Sequence, residues 1–324
     1  MKKTFLISIT ATLLVLFPGI SYGQTPPDLG ACSGFALFTS AGAFDNVGPT
    51  TIVGDIGSHT YAPTGFPPGV VDGVIHSNDA LTLQASIDLE TAYSYMSSLG
   101  GAVLPVLLGN GQTITPGVYN TGAAATLNGN LILDAENDPD ATFYIRIGGA
   151  LATDNNTTVS LINGASACNV YWQIAGRFDL GEYSSFSGNL LVDGAINLMI
   201  GATLDGRGLT RAGAISTSDN EVVYPMPGDA EAITGLDEVC IGETGVVYTV
   251  PAIDNATDYI WTLPPGVTIT NGDNTNSITV TFGPGAADGN FTVQGSNSCG
   301  LGAVSPAFAV VVNPLPVTSL IYHF

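Results

Sequence analysis

Along the first two hundred residues, apolar and polar positions alternate over runs of only a few residues, and the runs break at glycine. Such short period-2 segments predict strands separated by tight turns. One pattern recurs: a small hydroxyl or apolar residue, an apolar residue, any residue, glycine, and an apolar residue two further on. It reads Thr51-Ile-Val-Gly-Asp-Ile56, Val70-Val-Asp-Gly-Val-Ile75, Thr126-Leu-Asn-Gly-Asn-Leu131 and Ser185-Phe-Ser-Gly-Asn-Leu190, with a looser copy at Thr203-Leu-Asp-Gly-Arg-Gly-Leu209. Four longer segments align on a leading glycine: Gly149-Ala-Leu-Ala-Thr, Gly176-Arg-Phe-Asp-Leu, Gly194-Ala-Ile-Asn-Leu and Gly213-Ala-Ile-Ser-Thr. These glycines stand 27, 18 and 19 residues apart, and Thr158, Ser185, Thr203 and Val222 each follow one by nine residues. A unit this short cannot bury its own inner face. Stacking the units as coils of a β-solenoid solves the problem, because each coil covers the next. The competing arrangement, a β-sandwich with similar hairpins, explains the repeat spacing less well.

The stretch 77–99 interrupts this pattern with neither Gly nor Pro. Leu81, Ala85, Leu89, Ala92, Met96 and Leu99 make one apolar stripe at helical spacing, and Ser77, Asn78 and Asp79 offer capping side chains. An amphipathic helix lying along the solenoid is predicted, with residues 100–117 returning the chain to the coils. After a short linker at 226–228 the texture changes again. Val246-Val-Tyr-Thr-Val250, Tyr259-Ile-Trp-Thr-Leu263, Ser277-Ile-Thr-Val-Thr-Phe282, Asn290-Phe-Thr-Val-Gln294 and Ala307-Phe-Ala-Val-Val-Val312 predict an antiparallel, immunoglobulin-like β-sandwich over 229–315. Trp261 is its expected core anchor, and 316–324 form a tail.

Charge narrows the chemistry. The chain has 27 acidic residues, 6 basic ones and a net charge of −21. Beyond Lys2 and Lys3 the only basic residues are Arg146, Arg177, Arg207 and Arg211, which removes the basic footprint that nucleic acid requires. These arginines are expected in ion pairs, Arg207 and Arg211 with Asp205 and Asp219. His59, His76 and His323 are the only histidines, too few and too scattered for most acid–base or zinc chemistry. No cofactor, metal or enzymatic activity is expected. Asp134, Glu136, Asp138 and Asp140 lack the spacing of a calcium loop and read as a solvated turn.

Residues 1–23 read as an export signal: Lys2 and Lys3, an apolar run from Phe5 to Phe17, and Ser21-Tyr22-Gly23 before Gln24. Secretion is therefore expected, and no later segment is apolar and long enough to span a membrane. Export permits disulfides among Cys32, Cys168, Cys240 and Cys299. Three pairings are possible. Cys240–Cys299 within the C-terminal module is the expected one, leaving Cys32–Cys168.

The stretches Val53-Gly-Asp-Ile-Gly57, Thr64-Gly-Phe-Pro-Pro-Gly69, Thr115-Pro-Gly-Val-Tyr119, Asp138-Pro-Asp-Ala-Thr-Phe143 and Ala167-Cys-Asn-Val-Tyr-Trp-Gln173 make the region from about Leu29 to Tyr224 resemble the microbial ice-binding (antifreeze) protein family. The C-terminal module resembles PKD-like domains. The resemblance implies a mostly β chain: a right-handed, discontinuous β-solenoid over 24–225 with one long flanking α-helix, then the sandwich. It further implies that ice, or ordered water, is the partner of a flat Thr/Ser/Ala-rich face. The segments matching the family's threonine-rich loop motif are Thr153–Asn156, Gly181–Ser184, Ile200–Thr203 and Thr217–Asn220, with Glu182, Tyr183 and Ile200 departing from the pattern. The expected ice-binding column is Thr51, Thr126, Thr157, Thr158, Ser184, Ser185 and Thr203. The alternative function is a cell-surface or matrix adhesin that uses the solenoid as a rigid stalk, with attachment through the C-terminal module.

Overall fold

The computed structural model describes residues 24–314. The expected signal at 1–23 and the tail at 316–324 lie outside the described residues. From Phe35 to Val223 the strands stack in parallel, in coils that have three walls. The first wall contains Gly117–Asn120, Phe143–Ile147, Val170–Ile174, the second halves of Ser185–Val192 and Thr203–Thr210, then Phe35–Thr39, Asp55–Ser58 and Ile75–Ser77. The second is a separate seven-stranded sheet, running from Phe44–Val47 through Ile215–Ser218, Ile196–Leu198, Phe178–Leu180, Leu151–Thr153 and Ala125–Asn128 to Leu107–Gly109. The third includes Thr51–Val53, Glu221–Val223, the first halves of Thr203–Thr210 and Ser185–Val192, Thr158–Ile162 and Asn130–Asp134.

Parallel register brings equivalent residues of successive coils together. On the first wall Ile145, Trp172, Leu190, Gly208, Leu37 and Ile56 are consecutive cross-strand partners. Inward-pointing Trp172, Phe178, Phe186, Leu204 and Phe44 fill the interior between the walls. The stack is discontinuous in sequence. Phe35–Thr39 sits between Asp55–Ser58 and Thr203–Thr210, so the first coil closes onto one of the last.

The leading glycines of the repeat stand at the corner between the first and second walls. A Cβ on Gly42 would lie 2.2 Å from the carbonyl oxygen of Gly213, and one on Gly213 would lie 2.2 Å from the amide nitrogen of Ala195. Gly194, Gly176 and Gly149 meet the next coil's backbone at 2.9, 2.7 and 2.8 Å. Glycine is needed here because backbone touches backbone across coils.

The helix spans Ala80–Ser98. Asp79 caps it: its Oδ1 accepts the Thr82 N–H at 2.8 Å, while the Asp79 N–H donates to the Thr82 Oγ1 at 2.9 Å. Ala85, Leu89, Ala92 and Met96 are buried against Phe35, Phe38, Tyr144, Tyr171 and Leu209 of the first wall. Leu81, expected in the buried stripe, is 39% exposed. Thr82 takes the inward place in that first turn, where its hydroxyl completes the capping box. Arg211 clamps the helix by pairing with Glu90 at 2.7 Å and with Asp193 at 3.4 Å, not with Asp219 as expected.

The C-terminal module has two sheets. One orders Glu238–Cys240, Phe308–Asn313, Gly289–Asn297 and Asp258–Thr262, and the other Thr244–Thr249, Ser277–Phe282 and Val267–Asn271. All their pairings are antiparallel except that of Glu238–Cys240 with Phe308–Asn313. Tyr248 stacks on Phe291 at the centre, with ring centroids 4.0 Å apart. Trp261, expected there, lies half-buried with its indole N–H donating to the Thr275 carbonyl. Tyr248 fills the place instead.

The cysteine pairing also differs from expectation. Cys168 is bonded to Cys299, with 4.8 Å between their Cα atoms, and Cys32 and Cys240 are free. Cys299 lies between the strands Gly289–Asn297 and Gly300–Leu301, on the side of the module facing the solenoid, whereas Cys240 lies exposed on an outer strand. Cys32 points into the helix contact and donates to the Ala85 carbonyl. Its burial pushes the thiol pKa up to about 12, so it stays protonated. In the chain-entropy model a cross-link over 131 residues contributes about 5 kcal/mol.

Two stability measurements test these packing arguments. Gly213→Ala is expected to cost about 1–3 kcal/mol in urea unfolding, the range for overpacking, whereas Gly100→Ala, with nothing within 4 Å of its Cβ, should be nearly neutral. At the helix start, the Thr82 N–H and then His76 hold the Asp79 carboxyl down to about 2, against an ordinary 3.8. A depressed carboxyl stabilises the fold above its unfolded value and loses that contribution as pH falls through the folded one. Asp79→Ala should therefore cost about 0.5–2 kcal/mol at pH 7. The gap to the parent should close as the pH falls from about 4 toward 2, as followed by thermal unfolding.

Candidate functional site

The three walls differ in what covers them. The helix closes the first. The C-terminal module is fastened at the corner between the first and third walls, where the turn at Ala167–Asn169 links Thr158–Ile162 to Val170–Ile174. Three contacts hold it: the Cys168–Cys299 bond, a 3.1 Å hydrogen bond between Ser166 and Ser298, and the Tyr224 hydroxyl donating to the Cys299 carbonyl at 2.6 Å. The second wall faces away from that corner.

On the second wall, outward positions form two full columns, with exposed Val47 and its partner Ser218 beyond them at one edge. Ala43, Ala214, Ala195, Arg177 and Ala150 enter successive strands directly after the corner glycines, and Ala124 continues the column after Ala123. Two residues on, Asp45, Ser216, Asn197, Asp179, Ala152, Thr126 and Leu107 are in register. The result is a sheet of mostly short side chains. Its charges are engaged locally. Arg177 pairs with Asp179 at 2.7 Å, Asn197 donates to Asp179 at 2.6 Å, and Thr64 donates to Asp45 at 2.6 Å.

On the third wall, Thr51, Glu221, Thr203, Ser185, Thr158 and Asn130 are consecutive partners. Four of the seven expected residues therefore share one column. Glu221 interrupts it, exposed between Thr51 and Thr203. The next outward column runs Val53, Val223, Asp205 and Ser187 toward the module's corner. Ser187 is buried although it alternates outward, and burial raises the Asp205 carboxyl pKa.

The remaining three expected residues lie elsewhere. Thr126 is exposed on the second wall. Thr157 and Ser184 are each 1% exposed and stand inside the corner between the second and third walls. The physical reason is backbone satisfaction: at this corner the chain turns away from the ladder, leaving amides and carbonyls without strand partners. Thr157 Oγ1 donates to the Leu127 carbonyl, and Ser184 Oγ donates to the Asp154 carbonyl while accepting the Thr157 N–H at 3.0 Å. Asn220 serves the same purpose in the last coil, donating to the carbonyls of Met199 and Ala202. The loop motif thus supplies corner hydrogen bonds on its inner side. Its outer side carries Tyr183, Met199 and Ile200, all exposed. Tyr183 has φ +55° and packs where a Cβ on Gly201 would meet its ring at 2.5 Å.

Sequence reasoning missed the alanine column and its neighbours Ser216, Asn197 and Ala152. The signal was present in the segments aligned on glycine, whose second and fourth residues point outward from this wall. The acidic run reads as expected: Asp134 accepts from the Glu136 N–H and from Asn163, and Asp138 accepts from the Asp140 N–H, as turn carboxylates do.

The comparisons with known proteins agree with this architecture. The family model described as ice-binding-like matches residues 38–223, and the PKD-like domain model matches 226–310. An ice-binding protein of Nostoc sp. is 36% identical over 222 residues, covering 64% of this chain and 82% of the relative. One from Leucosporidium sp. is 30% identical over 234 residues, covering 64% of this chain and 87% of the relative. Among solved structures, an ice-binding protein from the Antarctic ascomycete Antarctomyces psychrotrophicus superposes with a TM-score of 0.59 at 35% identity, covering 61% of this chain and 98% of that one. An ice-binding protein from an Antarctic biological consortium gives 0.59 at 34% identity, covering 68% and 96%. A discontinuous solenoid with a flanking helix, matched over more than half its length by the family model, places this chain in the ice-binding-like family.

Proposed function

We propose that this protein binds ice through the second wall and thereby restrains ice growth and recrystallisation. The carrying observation is that wall itself: a seven-stranded parallel sheet, uncovered by helix or module, that presents short side chains in register. Parallel strands stand about 4.8 Å apart, and outward residues along a strand about 6.6 Å apart, so the surface is a regular grid. Alanine loses no rotamer entropy on contact. Thr126, Ser216 and Asn197 supply polar anchors between the methyl groups, so interfacial water can be held in fixed positions. The ice-binding names of the relatives support the same reading and do not favour the adhesin.

A second reading rests on the third wall, where Thr158, Ser185 and Thr203 are consecutive partners, with Thr51 beyond Glu221. It is the weaker one, because Glu221 stands in the column and the module borders the wall. We place the protein outside the cell, exported by the segment 1–23. The C-terminal module, fixed at the far corner, is suited to cell-surface or matrix attachment that leaves the second wall open. No catalytic role is assigned to any residue.

Tyrosine substitutions separate the two walls. In a recrystallisation assay on the full chain, Ser216→Tyr and Ala152→Tyr should each weaken inhibition severalfold, while Thr203→Tyr stays near the parent. The opposite ranking would move the site to the third wall. A folded parent protein that neither shapes ice nor slows recrystallisation would remove the function. For the corner, Ser184→Ala should cost about 1–3 kcal/mol of stability by orphaning buried backbone groups, yet leave ice shaping intact near 0 °C, where the chain stays folded.

A further inference from the structure

The corner that holds the C-terminal module also forms a cavity of about 340 Å³ that is open to solvent. Arg207 lines it. The side chain is 2% exposed, and its Nε and Nη2 find no acceptor among the described residues. The other three arginines are better served: Arg146 donates to Gln173, Arg177 to Asp179 and Arg211 to Glu90. The expected partner of Arg207, Asp205, makes no ion pair with it among the described residues. Its guanidinium lies 3.6 Å from the centre of the Tyr224 ring, an attraction that offsets desolvation in part but provides no acceptor for its N–H groups. Burial pulls its pKa down to about 9, which still leaves it cationic at neutral pH. A buried, unpaired guanidinium is among the costliest arrangements a fold can contain.

The rest of the cavity describes what would balance that charge. Asn189 is already used, donating to the carbonyls of Ala167, Cys168 and Val170. Tyr171 also lines the cavity, and burial raises its pKa, so its hydroxyl remains a donor. Pro26 and Pro27 give one side an apolar surface, while Asp28, whose Oδ1 accepts the Gly30 N–H, borders it with a negative charge.

We propose that this cavity is a binding site for a small monocarboxylate, its oxygens accepting from Arg207 and Tyr171 and its short apolar body lying against Pro26 and Pro27. One cation balances one negative charge. A doubly charged phosphate or sulfate would bring excess charge to a cavity that Asp28 already borders. Because residues of both modules line the cavity, the bound carboxylate fastens them together in addition to the disulfide. This site is independent of the ice-facing wall.

The test is thermal unfolding of the full chain in sodium propionate against sodium chloride at matched ionic strength. Propionate should raise the midpoint with the logarithmic dependence on concentration of a native-state ligand, which yields its Kd, and the neutral amide propionamide should not. Arg207→Gln should abolish that rise. Should that variant fail to fold, Tyr171→Phe decides: it keeps the ring stacked on Tyr144 and should raise the fitted Kd roughly tenfold, the effect of losing a hydrogen bond to a charged group. Four results overturn the proposal: no rise in the parent beyond that in sodium chloride, an equal rise with propionamide, an unchanged Kd in a folded Arg207→Gln, or an unchanged Kd in Tyr171→Phe. A sulfate effect of equal size with the same dependence on Arg207 would also overturn it, in favour of a general oxyanion site.

Discussion

Hydrogen bonding between the backbones of neighbouring coils is the interaction on which this molecule depends. It fixes the separation of the coils, and that separation leaves no room for a Cβ at Gly42, Gly213, Gly194, Gly176 or Gly149. It also turns a position in the repeat into a column in space. Ser216, Asn197, Asp179, Ala152 and Thr126 share a column because their strands are in register. Regularity follows from the same bonds, since parallel strands at constant spacing carry mostly short side chains, with Arg177, Leu107 and Val47 the long exposed exceptions.

A stack of three walls has three outer faces to account for, and the chain treats each differently. The first carries large apolar side chains, Phe35, Phe38, Tyr144, Tyr171 and Leu209, and could not remain uncovered in water. The helix buries them and is held by the Asp79 cap at one end and Arg211 along its side. The margin of the third is bordered by the C-terminal module. The second pairs Arg177 with Asp179, engages Asp45 with the Thr64 hydroxyl, and keeps most of its other side chains short. Exposure of that wall is therefore a product of where the other two elements dock, not of its own sequence alone.

Much of this was legible in the residues. The repeat glycines gave the coils, the gap in Gly and Pro gave the helix, and Asp79 was among the capping candidates that included the true cap. What the sequence could not supply was phase at the corners. Thr157 and Thr158 are adjacent, as are Ser184 and Ser185, yet in each pair one member satisfies corner carbonyls inside and the other lies on the third wall. Alternation predicts that neighbours point oppositely but does not say which one is outside when both are hydroxylated. Cysteine pairing was misjudged for a different reason. Membership of a module favoured Cys240–Cys299, whereas the bond formed depends on how the modules dock, a contact between residues more than a hundred positions apart. Thr126 was grouped with the others by its motif, but its copy of the pattern begins on the second wall, one wall earlier in the coil than Thr158.

The closure of the first coil onto one of the last bears on how the chain is made. Phe35–Thr39 needs Thr203–Thr210 beside it, so a nascent chain that has emerged only as far as the helix holds strands whose neighbours are not yet translated. Solenoids that stack in sequence order can grow from one end as synthesis proceeds. Here the amino-terminal coils wait with open edges until residue 223 is available, because Phe44–Val47 pairs with Ile215–Ser218 and Thr51–Val53 with Glu221–Val223, and long-range pairing of this kind is intrinsically slow. Folding of the amino-terminal coils is thereby tied to completion of the last one.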